Sequence, residues 1–332
     1  MSGTLNWTTD TEGGYMYSDE LSDVLRTALQ PLTKFRQFCE PDPDALEKGL
    51  NRGDKFYWNV YGDVLTQGRR INEREVMPET GFLTSQSSLT VSEHGNSVPY
   101  TGKLTALAKH DVLRIIDKGL KNDARKGLDI EAFLQFDACK LRVAPSGGTS
   151  ATSITMTENG ATATTNDVAM GTGHVKAISD EMRERSIPGF AGDDYCVISH
   201  PTTYRPFKNE LEQIHKYTTE GMGKIYNGEV GRYEGCRFIE QNFIPKGGAN
   251  DSASFDPYTK TADSWNNAKS SWAYFFGADT VNEALVIPEE IRAKLPGDYG
   301  RSGGIAWYYL GGFGIFHDQP AQSRIVKWDS AA

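Results

Sequence analysis

Along residues 101–141, TGKLTALAKHDVLRIIDKGLKNDARKGLDIEAFLQFDACKL, apolar side chains return every three or four positions. They are Leu104, Leu107, Ala108, Val112, Ile115, Ile116, Leu120, Ala124, Leu128, Ala132, Phe133 and Phe136. This is the period of a helix rather than of a strand, and charged residues fill the intervals to mark a wet side. No proline interrupts it. At about 1.5 Å of rise per residue, an unbroken helix of this length would reach about 60 Å. Gly119 and Gly127 each weaken a helix interior by about 1 kcal/mol relative to Ala. Two readings stand: one long spine carrying the flanking segments, or two ordinary helices joined at Gly127-Leu128-Asp129.

The same period marks residues 18–39, where Leu21, Val24, Leu25, Ala28, Leu29 and Leu32 form an amphipathic stripe. Ser18 is placed to cap it, and Asp19 and Glu20 suit the positive helix end. Pro31 predicts a break or kink, and Phe35 and Phe38 add a second apolar patch before Glu40-Pro41-Asp42-Pro43. Between this arm and the spine the pattern changes. Lys55–Leu65 (KFYWNVYGDVL) is aromatic and β-branched, and Ser88–Tyr100 (SLTVSEHGNSVPY) supplies a second strand. The charged stretch between them predicts a long hairpin tip, and a loop of that length in a folded domain usually has a purpose. An isolated two-stranded hairpin is marginal in water, so this one is expected to lie on a neighbour.

Beyond the spine, residues 145–173 are small and polar and predict loop with weak strands. His174–Ser186 reads as a helix, Asp194–Ser199 as a buried strand, and Pro201–Thr218 as helical in part, with Phe207, Leu211 and Ile214 inward. Gly235–Glu240, Trp272–Gly277, Ala284–Ile287, Ile305–Leu310, Phe313–His317 and Arg324–Trp328 follow as short strands, with a long polar loop over Pro245–Ser270. Regular βαβ alternation is missing, which favours an α+β fold over a doubly wound sheet.

Composition narrows the function. The chain has 332 residues and a net charge of -9, without a long basic run. Tight nucleic-acid binding is therefore not expected, because phosphate neutralisation by Lys and Arg supplies most of its affinity. No apolar run approaches the roughly 20 residues of a membrane helix, and the polar start does not read as a secretory signal. Cys39, Cys139, Cys196 and Cys236 are widely separated and predict free thiols in a reducing cytosol. Catalytic and cofactor patterns fail in turn. Glu220-Gly-Met-Gly-Lys224 lacks the first glycine and the final Ser/Thr of a phosphate loop. The histidines form no zinc motif, and Ser199-His200 would need converging side chains to act as nucleophile and base. No cofactor or metal is predicted. The mixed charges Arg69, Arg70, Glu73, Arg74 and Glu75 at the hairpin tip read either as a solvated loop or as a contact surface, and the strand aromatics divide between sheet core and outward contact residues.

This layout of arm, hairpin, spine and mixed α/β regions resembles the major capsid protein of tailed double-stranded DNA phages, the HK97-like fold. The segments VISHPTTYRPFKNE (197–210), KIYNGEVGRYEGCRFIEQNF (224–243) and SGGIAWYYLGGFGIFHDQPAQSRIVKW (302–328) are similar to the N4-type branch of that family. The resemblance implies an N-terminal arm over 1–52, an E-loop over 53–102 and a P-domain with its spine helix over 103–173. It implies an A-domain over 174–287 and a return to the P-domain over 288–332. It also implies self-assembly into pentamers and hexamers of an icosahedral head in the host bacterial cytoplasm, enclosing DNA without specifically binding it. Scaffolding, portal and decoration proteins would be partners, and no membrane is involved. The E-loop residues Arg69, Arg70, Glu73, Arg74 and Glu75 and the arm residues Leu21, Leu25, Phe35 and Phe38 would contact neighbouring subunits. Two alternatives remain: a soluble hydrolase with a site near His200 and Glu229, and a decoration or tail protein of the same particle.

Overall fold

A computed structural model describes residues 34–42, 55–64, 66–145, 154–160, 168–215, 231–242, 244 and 271–330. The spine is continuous through both glycines. After a short helix α1 (Gly102–Leu107), helix α2 runs over Val112–Asp137 without a break at Gly127. The interruption falls at Ala108–Asp111 instead. There the Asp111 carboxylate accepts the amides of Leu113 and Arg114 at 3.1 and 3.3 Å, starting a new helix with a strong cap. Gly127 lies against the Trp307 ring, and packing of this kind outweighs a propensity cost of about 1 kcal/mol.

The described strands form three sheets. The largest has seven strands: β5 (Leu141–Pro145), β6 (Ile154–Thr157), β7 (Tyr195–Ser199), β8 (Arg232–Tyr233), β9 (Cys236–Glu240), β10 (Ser271–Phe276) and β13 (Ile325–Ser330). Their order is β6-β5-β13-β10-β7-β9-β8. Alternating side chains feed two cores, as the strand period requires. Cys196, Ile198, Tyr274, Phe276 and Ile325 join Leu128, Phe133 and Phe136 of α2. Val197, Phe275, Val326 and Trp328 join Val175, Ile178 and Met182 of helix α3 (Thr172–Glu184) and Phe207 and Leu211 of helix α4 (Arg205–His215). The body is thus layered as helix, sheet, helix, an α+β architecture.

A second sheet has the order β1-β11-β12-β4, from Glu40–Pro41, Val281–Gly297, Ser302–Ile315 and Ser92–Thr101. Here the strands are longer than the sequence suggests. Beyond Ile287, strand β11 continues through the charged segment PEEIRAKLPG, where Arg292 lies 3.8 Å over the Tyr308 ring of β12. The expected strands at 305–310 and 313–317 are one strand. Gly311 and Gly312 do not end it; a Cβ there would stand 2.6 Å from Ala284 O and 2.9 Å from Thr90 O, so they permit close backbone approach.

The third sheet is the predicted hairpin, with a corrected return strand. Strand β2 (Lys55–Val64) pairs with β3 (Phe82–Thr90), whereas 92–101 leaves as β4 and pairs with β12. The connection is therefore 65–81. In LTSQSSLT only Ser87 and Leu89 are buried, so its small polar residues disguise a half-buried strand as loop. The arm also needs correction. Leu21 and Leu25 lie outside the described residues, but Phe35 is fully buried within its own chain, with ring centroids 5.3 Å from both Phe133 and Phe136. Phe38 packs on Phe190 and Phe276 at 5.2 Å. Phe35 thus fastens the arm to its own spine, because Asp129 draws the backbone of residues 34–36 down onto α2, while Phe38 is only half-buried against the body.

Candidate assembly interface

The hairpin is seated at its base and bare at its end. Trp58, Leu89 and Ala284 form a small core, with Phe56, Val91 and Phe316 around it. The Ser87 hydroxyl donates to Phe316 O at 2.6 Å, the Ser85 hydroxyl donates to Gln322 Oε1 at 2.8 Å, and the Trp58 indole N–H donates to Asp42. Gly314 completes the seat; a Cβ there would press within 3.0 Å of both Leu89 and Trp58. His317 packs edge-on against the Phe316 ring at 4.7 Å, and burial beside the Arg324 charge pushes its pKa down to about 4.

Past Val60 the hairpin still meets the body at Gly62, which lies against Gln322, but its large apolar side chains are bare. Tyr61, Phe82 and Leu83 are 79%, 60% and 64% exposed, and Val76 and Met77 are 85% and 71% exposed. Large apolar side chains gathered on one projection mark a surface that another molecule covers. The sequence reading missed all five, although the pairs Val76-Met77 and Phe82-Leu83 inside a polar stretch were the available signal. A second bare region lies at the end of the β11–β12 hairpin, with Ile291, Leu295 and Tyr299 exposed.

The predicted tip charges are all exposed. Arg69 and Glu75 form an ion pair at 2.6 Å, and Glu75 also accepts the Asn72 amide at 3.4 Å, so this pair shapes the loop. Arg70, Glu73 and Arg74 remain directed at solvent. On the spine, Asp129 holds the arm. It accepts the backbone amides of Lys34 and Arg36 at 3.2 and 3.0 Å and the Gln241 amide at 2.8 Å. Burial raises its pKa to about 6 against the opposing pull of these donors. Arg36 then bridges Glu283 and Glu289 of β11 at 2.8 and 2.9 Å, and Tyr309 donates to Glu283 at 2.9 Å.

A hydrolytic centre is not assembled by the described residues. His200 Nδ1 accepts the Thr202 amide at 3.1 Å in the turn before α4, and Glu229 lies outside the described residues. Among the described residues no group of three or more side chains could hold a metal ion. All four cysteines are buried and free.

No family model matches the sequence, and no curated protein matches it. The fold does have relatives among solved structures. The capsid of the cyanophage P-SCSP1u is similar at 12% identity with a TM-score of 0.67, covering 94% of this chain and 92% of the other. The cyanophage Pam1 capsid asymmetric unit is similar at 14% identity and 0.68, covering 98% and 99%. The capsid of Ralstonia phage GP4 is similar at 13% identity and 0.66, covering 95% of each chain. The architecture is accordingly the HK97-like fold of phage shells. In each case the similarity extends over nearly the full length of both chains.

Proposed function

We propose that the chain is the major capsid protein of a tailed double-stranded DNA phage, assembling as pentamers and hexamers into an icosahedral head. The observation that supports this most is the projecting hairpin. Its base is built into the chain, and its distal half carries Tyr61, Val76, Met77, Phe82 and Leu83 without cover. Such a surface suits a shell, where each subunit lays its hairpin on the next copy. The capsids of the cyanophages P-SCSP1u and Pam1 and of Ralstonia phage GP4, similar in fold, agree with it. The segments expected as E-loop (53–102), P-domain (103–173 and 288–332) and A-domain (174–287) follow from the same reading. The seven-stranded sheet draws on all but the first of these. The similarity to the N4-type branch rests on the sequence segments quoted above rather than on the fold.

The reading gives the tip charges Arg70, Glu73 and Arg74 and the arm residues Leu21 and Leu25 roles against neighbouring subunits, in a virion assembled in the bacterial cytoplasm. Scaffolding, portal and decoration proteins would meet the finished shell. Expression of the full chain followed by negative-stain microscopy tests it. Shells, tubes or capsomer rings are expected. A monomer that stays monomeric at high concentration and never adds to a growing shell would sink the proposal.

A further inference from the structure

Between the hairpin base and the body lies a cleft of about 170 Å³ that the shell reading does not use. Three segments wall it: strand β2 at Gly62, the end of helix α3 at Arg185 and Ser186, and the connection from β12 to β13 at His317, Gln322 and Arg324. Such a volume holds several waters or one small oxyanion. His317 lines the cleft and is only 7% exposed, yet neither ring nitrogen has a partner among the described residues. Buried polar atoms are nearly always paired, so an orphaned imidazole beside a cavity marks a place for a ligand that brings the missing partner. The ring is neutral at ordinary pH, because burial and the Arg324 charge outweigh the pull of Asp279 on its proton. A neutral imidazole offers one donor and one acceptor.

The other polar groups on the walls are chiefly donors, and the two charged side chains among them, Arg185 and Arg324, are cations. Arg185 gives Nε to Glu181 and Nη2 to Glu158, at 2.9 and 2.6 Å, which leaves Nη1. Arg324 gives Nη1 to Ala278 O and Asp279, at 3.1 and 2.7 Å, which leaves Nε and Nη2. Gln322 accepts the Ser85 hydroxyl on Oε1 and keeps its Nε2 donors. None of the three carboxylates lines the cleft, and Glu158 and Asp279 are more than half exposed, where water and salt screen them. Cationic walls rich in donors disfavour a metal ion and suit an anion rich in oxygen. We propose that this cleft binds one small tetrahedral oxyanion of the phosphate class per chain. Its oxygens accept from His317, Arg185, Arg324 and Gln322, and the P–OH of hydrogenphosphate serves the second imidazole nitrogen. Because Gln322 also holds Ser85 of the hairpin, the bound anion steadies the hairpin seat. The site does not depend on the shell reading.

Equilibrium dialysis of the full chain against radiolabelled inorganic phosphate tests this in any state of assembly. One phosphate per chain is expected, displaced by sulfate but not by short duplex DNA. His317→Phe keeps a ring against Phe316 and removes both orphaned nitrogens. It should fold at least as stably as the parent and bind phosphate roughly tenfold more weakly. Arg185→Gln, at a partly exposed side chain, should weaken binding roughly threefold without altering the fold. Phosphate should also slow proteolysis within 53–92 in the parent and not in His317→Phe. No saturable binding, or equal binding by the parent and both variants, would overturn the proposal. Displacement by duplex DNA as readily as by sulfate would overturn it in favour of a surface contact with nucleic-acid phosphates.

Discussion

The ammonium of Lys327, fully buried in the centre of the large sheet, lies 2.5 Å from Asp137 at the end of the spine. It also sits 3.4 Å from the centre of the Trp272 ring. Burial alone would raise the Asp137 pKa, but the Lys327 charge and the hydrogen bonds from Lys327 and Tyr274 outweigh it and hold the carboxyl below its ordinary value. A depressed folded pKa adds stability that is complete above the unfolded value and is lost as pH falls through the folded one. The two partners are not equivalent. Asp137 keeps 29% of its side chain exposed and would retain the Tyr274 donor, whereas Lys327 is sealed in. Asp137→Ala should therefore cost about 3–5 kcal/mol by stranding a buried cation. Lys327→Met should cost clearly less. Denaturant titration of both decides this, and equal losses would refute the asymmetry.

Asp129 titrates with the opposite sign. Its folded pKa of about 6 lies above the ordinary 3.8, so the folded state binds more protons between these values. The associated stability is present below the unfolded pKa and is lost as pH rises through about 6. For this residue alone the change amounts to roughly 2 kcal/mol from pH 4 to pH 7. Asp129→Asn should flatten the stability profile over this window relative to the natural chain. Parallel profiles would show that the residue is not what titrates.

The hairpin seat can be separated from the body. In Gly314→Val the new side chain meets Leu89 and Trp58, while α2 and the seven-stranded sheet are untouched. Limited proteolysis should cut within 53–92 far faster, with little change in the main thermal transition. Collapse of that transition would mean that the hairpin and the body share one core.

The hairpin end should matter only between molecules. Tyr61→Ser, Phe82→Ser and Leu83→Ser remove exposed groups, so each monomer should stay within about 0.5 kcal/mol of the parent. Shell formation, followed by light scattering, should fail in the triple variant. Normal shells from that variant would remove the hairpin from the assembly surface.

The thiols should be inert in the folded chain. Burial pushes Cys139 and Cys236 up to about 12 and Cys196 up to about 11, and Cys39 is raised as well. Only the thiolate reacts, so alkylation at pH 8 should label none of the four until denaturant is added. Labelling of Cys196 in the folded state would show that β7 opens locally.

Legibility followed the strength of each periodic signal. The spine declared itself through Val112, Ile116, Leu120 and Ala124, all of which are buried. Of the two readings the continuous one holds through Gly127, and neither found the break at Ala108–Asp111, which the capping side chain Asp111 sets. Strand β3 was partly hidden because Ser85 and Ser87 do the work of apolar residues, through hydrogen bonds to another part of the chain. Phe35 was correctly apolar but wrongly aimed: no local pattern shows that Asp129, 94 positions further on, holds the backbone beside it. At the interface, charge drew attention to Arg69 and Glu75, which satisfy one another. The exposed Tyr61 and Phe82 are ordinary strand residues until three dimensions show that nothing covers them.

The large sheet has its last strand in the middle. Strand β13 lies between β5 and β10, so residues 325–330 join two parts that the rest of the chain leaves apart. A growing polypeptide cannot close this sheet until translation has passed those residues, however early the spine forms. A chain cut short before them would lack Val326 and Trp328 from the core that this sheet shares with α3 and α4.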